Sequence, residues 1–290
     1  MTIVVTGVTG VVGGYVAREL AALGVPFRMV VRDPGRALDL PAAEVAVASY
    51  EDRESLAGAL EPGDRVFMVS MHQAYDRRLE LHRAFIDEAV RRRVGHVVYL
   101  SFIGAGANAS FSHARSHGAT ETMLRDSGLS WSAVRNGMYG DEIASWFDPD
   151  GRITGSGGEG RISFSYRPEL GQSIAVLLAD EAYDDRDRVT ITTPDAVSLR
   201  ELAALATDLT GDDYRYEPLD RENWIAYRRS VGRPEWSIEA GISYYDGVSR
   251  GEADVVSRDF EELTGTPART VRELLELYRA DLPLSRAAAQ

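Results

Sequence analysis

Thr6-Gly7-Val8-Thr9-Gly10-Val11-Val12-Gly13-Gly14 is the stretch on which the reading of this chain turns. It follows a short apolar run, Ile3-Val4-Val5, and opens a helical pattern. A β-branched run, a glycine-rich turn and then a helix form the arrangement that holds a dinucleotide. Gly7 lets the chain turn sharply off the strand. Gly10 leaves no Cβ where backbone must approach a pyrophosphate, and Thr9, Val11 and Val12 belong to the same phosphate-facing turn. Gly13 lets the helix pack close to the sheet. The helix N-terminus then offers unpaired N–H groups and a positive dipole end. The spacing is G-x-x-G-x-x-G, not the G-x-G-x-x-G of ordinary dehydrogenases.

The 290 residues suffice for one large domain, or for a domain and a smaller lobe. No apolar run approaches the length of a membrane span, and no basic or signal-like stretch precedes the first strand. Cysteine is absent, which removes disulfides and thiolate chemistry. These features predict a soluble cytoplasmic protein with no membrane partner. The net charge of −13 argues against nucleic-acid binding. The sequence also contains no lysine, so any mechanism that needs an active-site lysine is excluded.

Working outward, strands are predicted over 2–5, 27–31, 44–48, 65–70, 96–101 and 129–135. Helices are predicted over 11–23, 52–60, 75–93 and 112–127. This alternation predicts an α/β fold, a Rossmann-type doubly wound parallel sheet with helices on both faces. After Tyr139 the rhythm changes. Residues 153–162, rich in Gly and Ser, read as a loop, and 189–193 as a seventh strand returning to the sheet. Ser198-Leu199-Arg200-Glu201 and Thr270-Val271-Arg272-Glu273 are capping boxes. The expected division is a dinucleotide-binding domain over 1–150 and a smaller, mainly helical substrate-binding lobe over 151–290. A ligand is expected where the lobe faces the carboxyl ends of the strands.

The end of the second strand decides the cofactor. An NAD site wants an acidic residue there, whereas this chain puts Arg32 at that point. A guanidinium pairs with a 2′-phosphate and stacks on adenine, so NADPH is expected. The competing reading makes Arg32 a solvated arginine and Asp33 the ribose ligand. Asp52 has two readings of equal weight, a partner for the adenine amine or the N-cap of the next helix. Ser70, Met71 and His72 after strand four, and Ser101 and Phe102 after strand five, point toward the nicotinamide side. Core packing is the alternative for Met71 and Phe102. Asn136 and Tyr139 end strand six and are candidates to line the pocket, with Tyr139 also a candidate proton donor. Against this stands a structural turn at Gly137 with Tyr139 packed between the lobes. Trp146, Phe147, Phe164 and Tyr166 supply either an aromatic wall for a planar, conjugated substrate or hinge packing. The five histidines have no metal-site spacing.

Several stretches together resemble the short-chain dehydrogenase/reductase superfamily in its atypical NmrA-like branch. They are the glycine turn, Val31-Arg32-Asp33-Pro34, Val97-Val98-Tyr99-Leu100-Ser101, His117-Gly118-Ala119-Thr120-Glu121, Arg135-Asn136-Gly137-Met138-Tyr139 and Leu263-Thr264-Gly265-Thr266-Pro267-Ala268-Arg269-Thr270. The likeness covers nearly the whole chain. It is greatest to bacterial NADPH:quinone oxidoreductases and triphenylmethane-reductase-like enzymes. Ordinary members carry a Tyr-x-x-x-Lys pair. Aligned on Glu121, those positions are His113 and His117, one helical turn apart. The tyrosine–lysine proton relay is therefore missing. His117 matches a histidine common in the branch, and the resemblance makes it a contact for the nicotinamide ribose or a proton donor near neutral pH. His113 reads as an exposed helix histidine.

The leading expectation is an NADPH-dependent reductase that passes hydride to a quinone or conjugated carbonyl. Two alternatives share the scaffold: an NADP-binding redox sensor without turnover, and a non-redox isomerase or lyase. A homo-oligomer is compatible with all three.

Overall fold

The computed structural model describes residues 1–284; residues 285–290, the last of the range assigned to the second lobe, lie outside the described residues. The chain runs through β1 (Ile3–Thr6), α1 (Val11–Ala22), β2 (Phe27–Val31), β3 (Ala43–Val47), α2 (Arg53–Ala59) and β4 (Arg65–Met68). It continues with α3 (Tyr75–Arg92), β5 (His96–Phe102), α4 (Ser112–Asp126) and β6 (Ser130–Asn136). The inner strands β1, β2, β4 and β5 are almost wholly buried because helices cover both faces of the sheet, whereas the edge strand β3 is largely exposed. Along β1, Ile3 and Val5 join the core under α1, and Val4 joins the core under α2 and α3.

The second half adds β7 (Met138–Tyr139), β8 (Arg152–Gly155), β9 (Arg161–Ser165), α5 (Arg167–Ala179), β10 (Arg188–Ile191) and β11 (Ala196–Ser198). Then come α6 (Leu199–Thr210), β12 (Arg215–Pro218), α7 (Arg221–Ser230), α8 (Glu235–Ser249), α9 (Asp259–Thr264) and α10 (Val271–Leu277). The main sheet has seven strands in the order β10-β6-β5-β4-β1-β2-β3, every neighbouring pair parallel. Its order reverses between β1 and β4, and the crevice above that switch point is where such sheets bind ligands. Both predicted capping boxes are formed, Ser198 with Glu201 and Thr270 with Glu273.

Two features differ from the sequence reading. Residues 153–162 are not a plain loop: β8 pairs with β12, and β9 pairs with β7 and β11. The glycines there serve close packing, since a Cβ on Gly155 would lie 2.5 Å from Leu199 Cδ1 and one on Gly157 would lie 2.8 Å from Val248 Cγ1. Second, the core around α1 draws on more of the chain beyond residue 150 than the returning strand expected over 189–193: Val189 and Ile191 of β10 join it as expected, and so do Leu170, Ile174 and Leu178 of α5 and Phe260 and Leu263 of α9. The other lobe has its own core, centred on Phe164, Leu202, Trp224, Tyr245 and Leu274. Arg65 stitches the crossing: its guanidinium donates to the Leu177 and Leu178 carbonyls of α5 and to both oxygens of Asp184.

Candidate functional site

The glycine turn is built for backbone access. Gly7 has φ +68°, and a Cβ there would sit 2.7 Å from Val69 Cγ1. A Cβ on Gly13 would overlap the Gly7 carbonyl oxygen and lie 2.6 Å from its carbon. The helix therefore packs against its own turn. Gly10 is the N-cap of α1 and makes no side-chain cap, and α1 has no acidic residue in its first turn. Thr9, Gly10 and Val11 are exposed, whereas the Val12 side chain is buried in the core and leaves only its amide for a ligand.

Thr6 fixes this turn to the end of β4. Its hydroxyl donates to the Phe67 carbonyl (2.7 Å) and accepts from the Val69 N–H (3.0 Å) and the Tyr50 hydroxyl (2.9 Å). At the end of β2, Arg32 is exposed and has no hydrogen-bond or ion-pair partner among the described residues. The Asp33 carboxylate is committed locally, accepting from the Gly35 N–H at 2.9 Å. Asp52 caps α2, accepting from the Glu54 and Ser55 N–H groups through one oxygen.

The candidate residues from β4, β5 and β6 divide. Ser70, Met71, His72, Phe102, His117, Asn136 and Tyr139 line one cleft of about 750 Å³ at the carboxyl ends of the strands. Ser101 does not face it. Ser101 is fully buried and its hydroxyl donates to Glu121 Oε1 at 2.6 Å. Glu121 in turn holds Arg135 through two hydrogen bonds, at 2.9 and 2.6 Å. The alternation of a strand sends adjacent side chains to opposite faces, which separates Ser101 from Phe102. Of the proposed aromatic wall only Trp146 lines the cleft. Phe147 packs on Tyr214, and Tyr166 packs on Tyr278.

Trp236 and Tyr244, not singled out from the sequence, supply the facing wall from α8. Their signal was the spacing of 236, 240 and 244, which sets three residues on one face of a helix. The Tyr244 hydroxyl is buried without a hydrogen-bond partner among the described residues.

His82, His96, His113 and His117 are neutral by burial. His117 Nδ1 lies 2.9 Å from the Tyr99 hydroxyl, and burial pushes its pKa well below the ordinary value, with Arg78 adding to the shift. Near neutral pH it is therefore an imidazole that hydrogen-bonds rather than an imidazolium acid, which corrects the proton-donor expectation. His113 is not the exposed residue expected. It is half-buried against Phe111, and burial lowers its pKa to about 4. Burial raises the Tyr139 pKa, and Arg167 stacks over its ring.

No motif singles out His82. Its Nε2 accepts from the Met71 N–H (3.1 Å), so its Nδ1–H donates to Thr120 Oγ1 (2.8 Å), whose own proton goes to the Ser116 carbonyl. This chain fixes the loop after β4 to α4. Burial, with Arg78 adding, lowers its pKa to about 3; burial lowers that of His96 to about 4 despite Asp184, which acts in the opposite sense. Between those values and about 6.5 the unfolded chain binds more protons than the folded one, so stability must fall as pH drops through that window. Melting temperatures measured from pH 7.5 to 5 are expected to decline, and less steeply in His96→Gln. A flat profile over that range would contradict the assignment.

A glycine-cradled helix N-terminus above the switch point of a 3-2-1-4-5-6 parallel sheet defines a Rossmann-type dinucleotide-binding protein. Residues 7–163 match the NAD(P)H-binding family, and the chain belongs to it. Among its relatives is quinone oxidoreductase 2 of Escherichia coli K12, 28% identical over 93% of this chain and 96% of the relative. The NAD(P)H azoreductase of Xenophilus azovorans is 27% identical over 96% and 98% of the two chains. The E. coli NADPH-dependent quinone oxidoreductase 2, solved with NADPH, superposes with a TM-score of 0.86 at 26% identity, over 96% of this chain and all of that one.

Proposed function

We propose that this protein is an NADPH-dependent reductase of quinones or similarly conjugated, planar small molecules such as dyes. The observation that carries the reading is the cleft walled by Phe102, Trp146, Trp236 and Tyr244 at the carboxyl ends of β4 to β6, together with full-length likeness to a quinone reductase and an azoreductase. Aromatic walls suit a flat substrate, and a few polar groups among them orient it.

The residues fit the cofactor. The uncapped N-terminus of α1 and the bare Gly10 backbone suit the pyrophosphate, with Thr9, Val11, Val12 and Gly13 around it. Arg32, free of internal partners, suits the 2′-phosphate. Asp52 keeps one carboxylate oxygen outside its cap and is the candidate adenine partner. Ser70, Met71, His72, Phe102 and Asn136 are the candidate lining for the nicotinamide end, and His117 the candidate ribose contact. Bound NADPH supplies a hydride. The chain's part is to hold donor and acceptor together and keep water out. Tyr139 keeps its proton and is the candidate to hydrogen-bond the acceptor.

Two measurements test this. NADPH oxidation followed at 340 nm across a panel of quinones, azo dyes and enones is expected to show turnover with some of them. Tight NADPH binding with none turned over would favour the sensor reading instead. Arg32→Glu is expected to weaken NADPH by about 1–3 kcal/mol while leaving NADH nearly unchanged. Equal loss for both cofactors would remove Arg32 from the 2′-phosphate.

A further inference from the structure

Arg78 is a buried cation without a counterion. It sits in the first turn of α3, is 4% exposed, and lines both the cleft just described and the neighbouring one against Trp236. Its Nη1 donates to Ser116 Oγ at 2.9 Å, and its Nε is buried with no partner among the described residues. No carboxylate pairs with it among the described residues. Of the acids lining the two clefts, Glu142 is bound to Arg167 at 2.8 Å and Glu239 is exposed. A buried charge left unpaired is costly, and the positive end of the α3 dipole makes this position worse for a cation. A folded chain keeps such a group where an anion completes it.

The chemistry of the site supplies the anion. This inference rests on the reductase reading. A quinone that receives a hydride gains two electrons and one proton. The electron pair displaced from the conjugated carbonyl then resides on oxygen as a hydroquinone monoanion, and water supplies the second proton. Among the buried groups of the cleft none is an acid suited to neutralise that oxygen as it forms; His72 and Arg233, which also line it, are exposed. His113 and His117 are neutral imidazoles, and burial raises the phenols of Tyr139 and Tyr244.

We propose that Arg78 takes the oxygen on which negative charge gathers, so that a fixed guanidinium stands in for the missing tyrosine–lysine acid. A preorganised charge aimed at developing charge in a dry site is among the larger catalytic terms. The same feature makes phenolates and enolates, rather than neutral phenols, the preferred ligands of the reduced-acceptor position.

4-Nitrophenol is the probe, because its visible spectrum reports whether it is bound as phenol or phenolate. Bound to the NADP⁺-saturated wild-type protein, it is expected to ionise about 1–3 pH units lower than in water. Arg78→Met should abolish that shift, and Arg78→Lys should keep part of it. In turnover, Arg78→Met should lower kcat by about 100-fold with KM for NADPH unchanged. If the Met variant misfolds, the Lys variant with its ammonium retained or neutralised by acetylation gives the same comparison. An unaltered nitrophenolate spectrum in Arg78→Met, or unaltered kcat, overturns the proposal and leaves the reductase reading in place. An Arg78-dependent spectrum with no NADPH oxidation by any acceptor keeps the anion site and removes the reductase reading.

Discussion

Gly13→Val is expected to lower NADPH affinity by about 100-fold or more, equivalent to roughly 2.7 kcal/mol. The Cβ of any residue at 13 would enter the space of the Gly7 carbonyl and approach the Thr6 carbonyl oxygen to 3.0 Å. Both obstacles are backbone, so neither can rotate away. Either the first turn of α1 lifts off or the 7–10 turn shifts outward, and both misplace the amides proposed to face the pyrophosphate. Overpacking of this kind also costs about 1–3 kcal/mol of stability. Gly10→Ala separates the two effects. Its Cβ would meet only the Gly7 carbonyl oxygen, at 3.2 Å, and φ there is −93°, open to any residue. That variant should melt within a few degrees of the wild type yet still bind NADPH more weakly, because the added methyl points to where the ligand approaches. Fluorescence titration with NADPH beside thermal melts measures both. Wild-type affinity in Gly13→Val would remove this turn from the cofactor site.

Arg65→Met should produce the largest loss of stability of any single change considered. Arg65 is 2% exposed and carries four hydrogen bonds, two to the last turn of α5 and two to Asp184. Removing it strands two buried carbonyls and an aspartate that is one-third exposed. Breaking a buried pair from one side costs about 3–5 kcal/mol, and the partial exposure of Asp184 favours the lower figure. For a chain of this size that is a fall in melting temperature of about 5–8 °C. Arg65→Lys should lie between, since an ammonium keeps the charge but not the fork that serves carbonyls and carboxylate together. The side chain of Asp184 is held below the usual carboxylate range chiefly by its hydrogen bonds to Arg65. Its stabilisation is therefore present above the ordinary aspartate pKa and is lost as pH falls through the lowered one. In Arg65→Met that part of the acid sensitivity should disappear. A melting temperature within about 2 °C of the wild type would show that α5 is held by its apolar face alone.

Much of this was legible in the residues. The glycine turn, the alternation of apolar strands with amphipathic helices and the two capping boxes are local patterns, each set by backbone geometry within a few residues. They suffice for a parallel sheet with its ligand crevice above the β1–β4 reversal. The place of Arg32 at the end of β2 was legible for the same reason, and its pairing with a 2′-phosphate is the role we propose for it. The second lobe was read less well. In 153–162 the loop reading holds for 156–160 but misses the strand residues on either side, because Gly155, Gly157 and Gly160 answer to close packing on Leu199 and Val248, which are distant in sequence.

The same division runs through the site. By itself the sequence determined the class of cofactor and the absence of a tyrosine–lysine relay, because both depend on residue identity at positions fixed by the fold. Only the tertiary structure decided which side chains face the cleft and what state they are in. Ser101 turns away to Glu121, Trp236 and Tyr244 arrive from α8, and His113 and His117 lose their charge to burial. Arg78, one arginine among many in the sequence, is left buried beside them with no carboxylate partner among the described residues. Desolvation and pairing are sums over neighbours from distant parts of the chain, and no local pattern carries them.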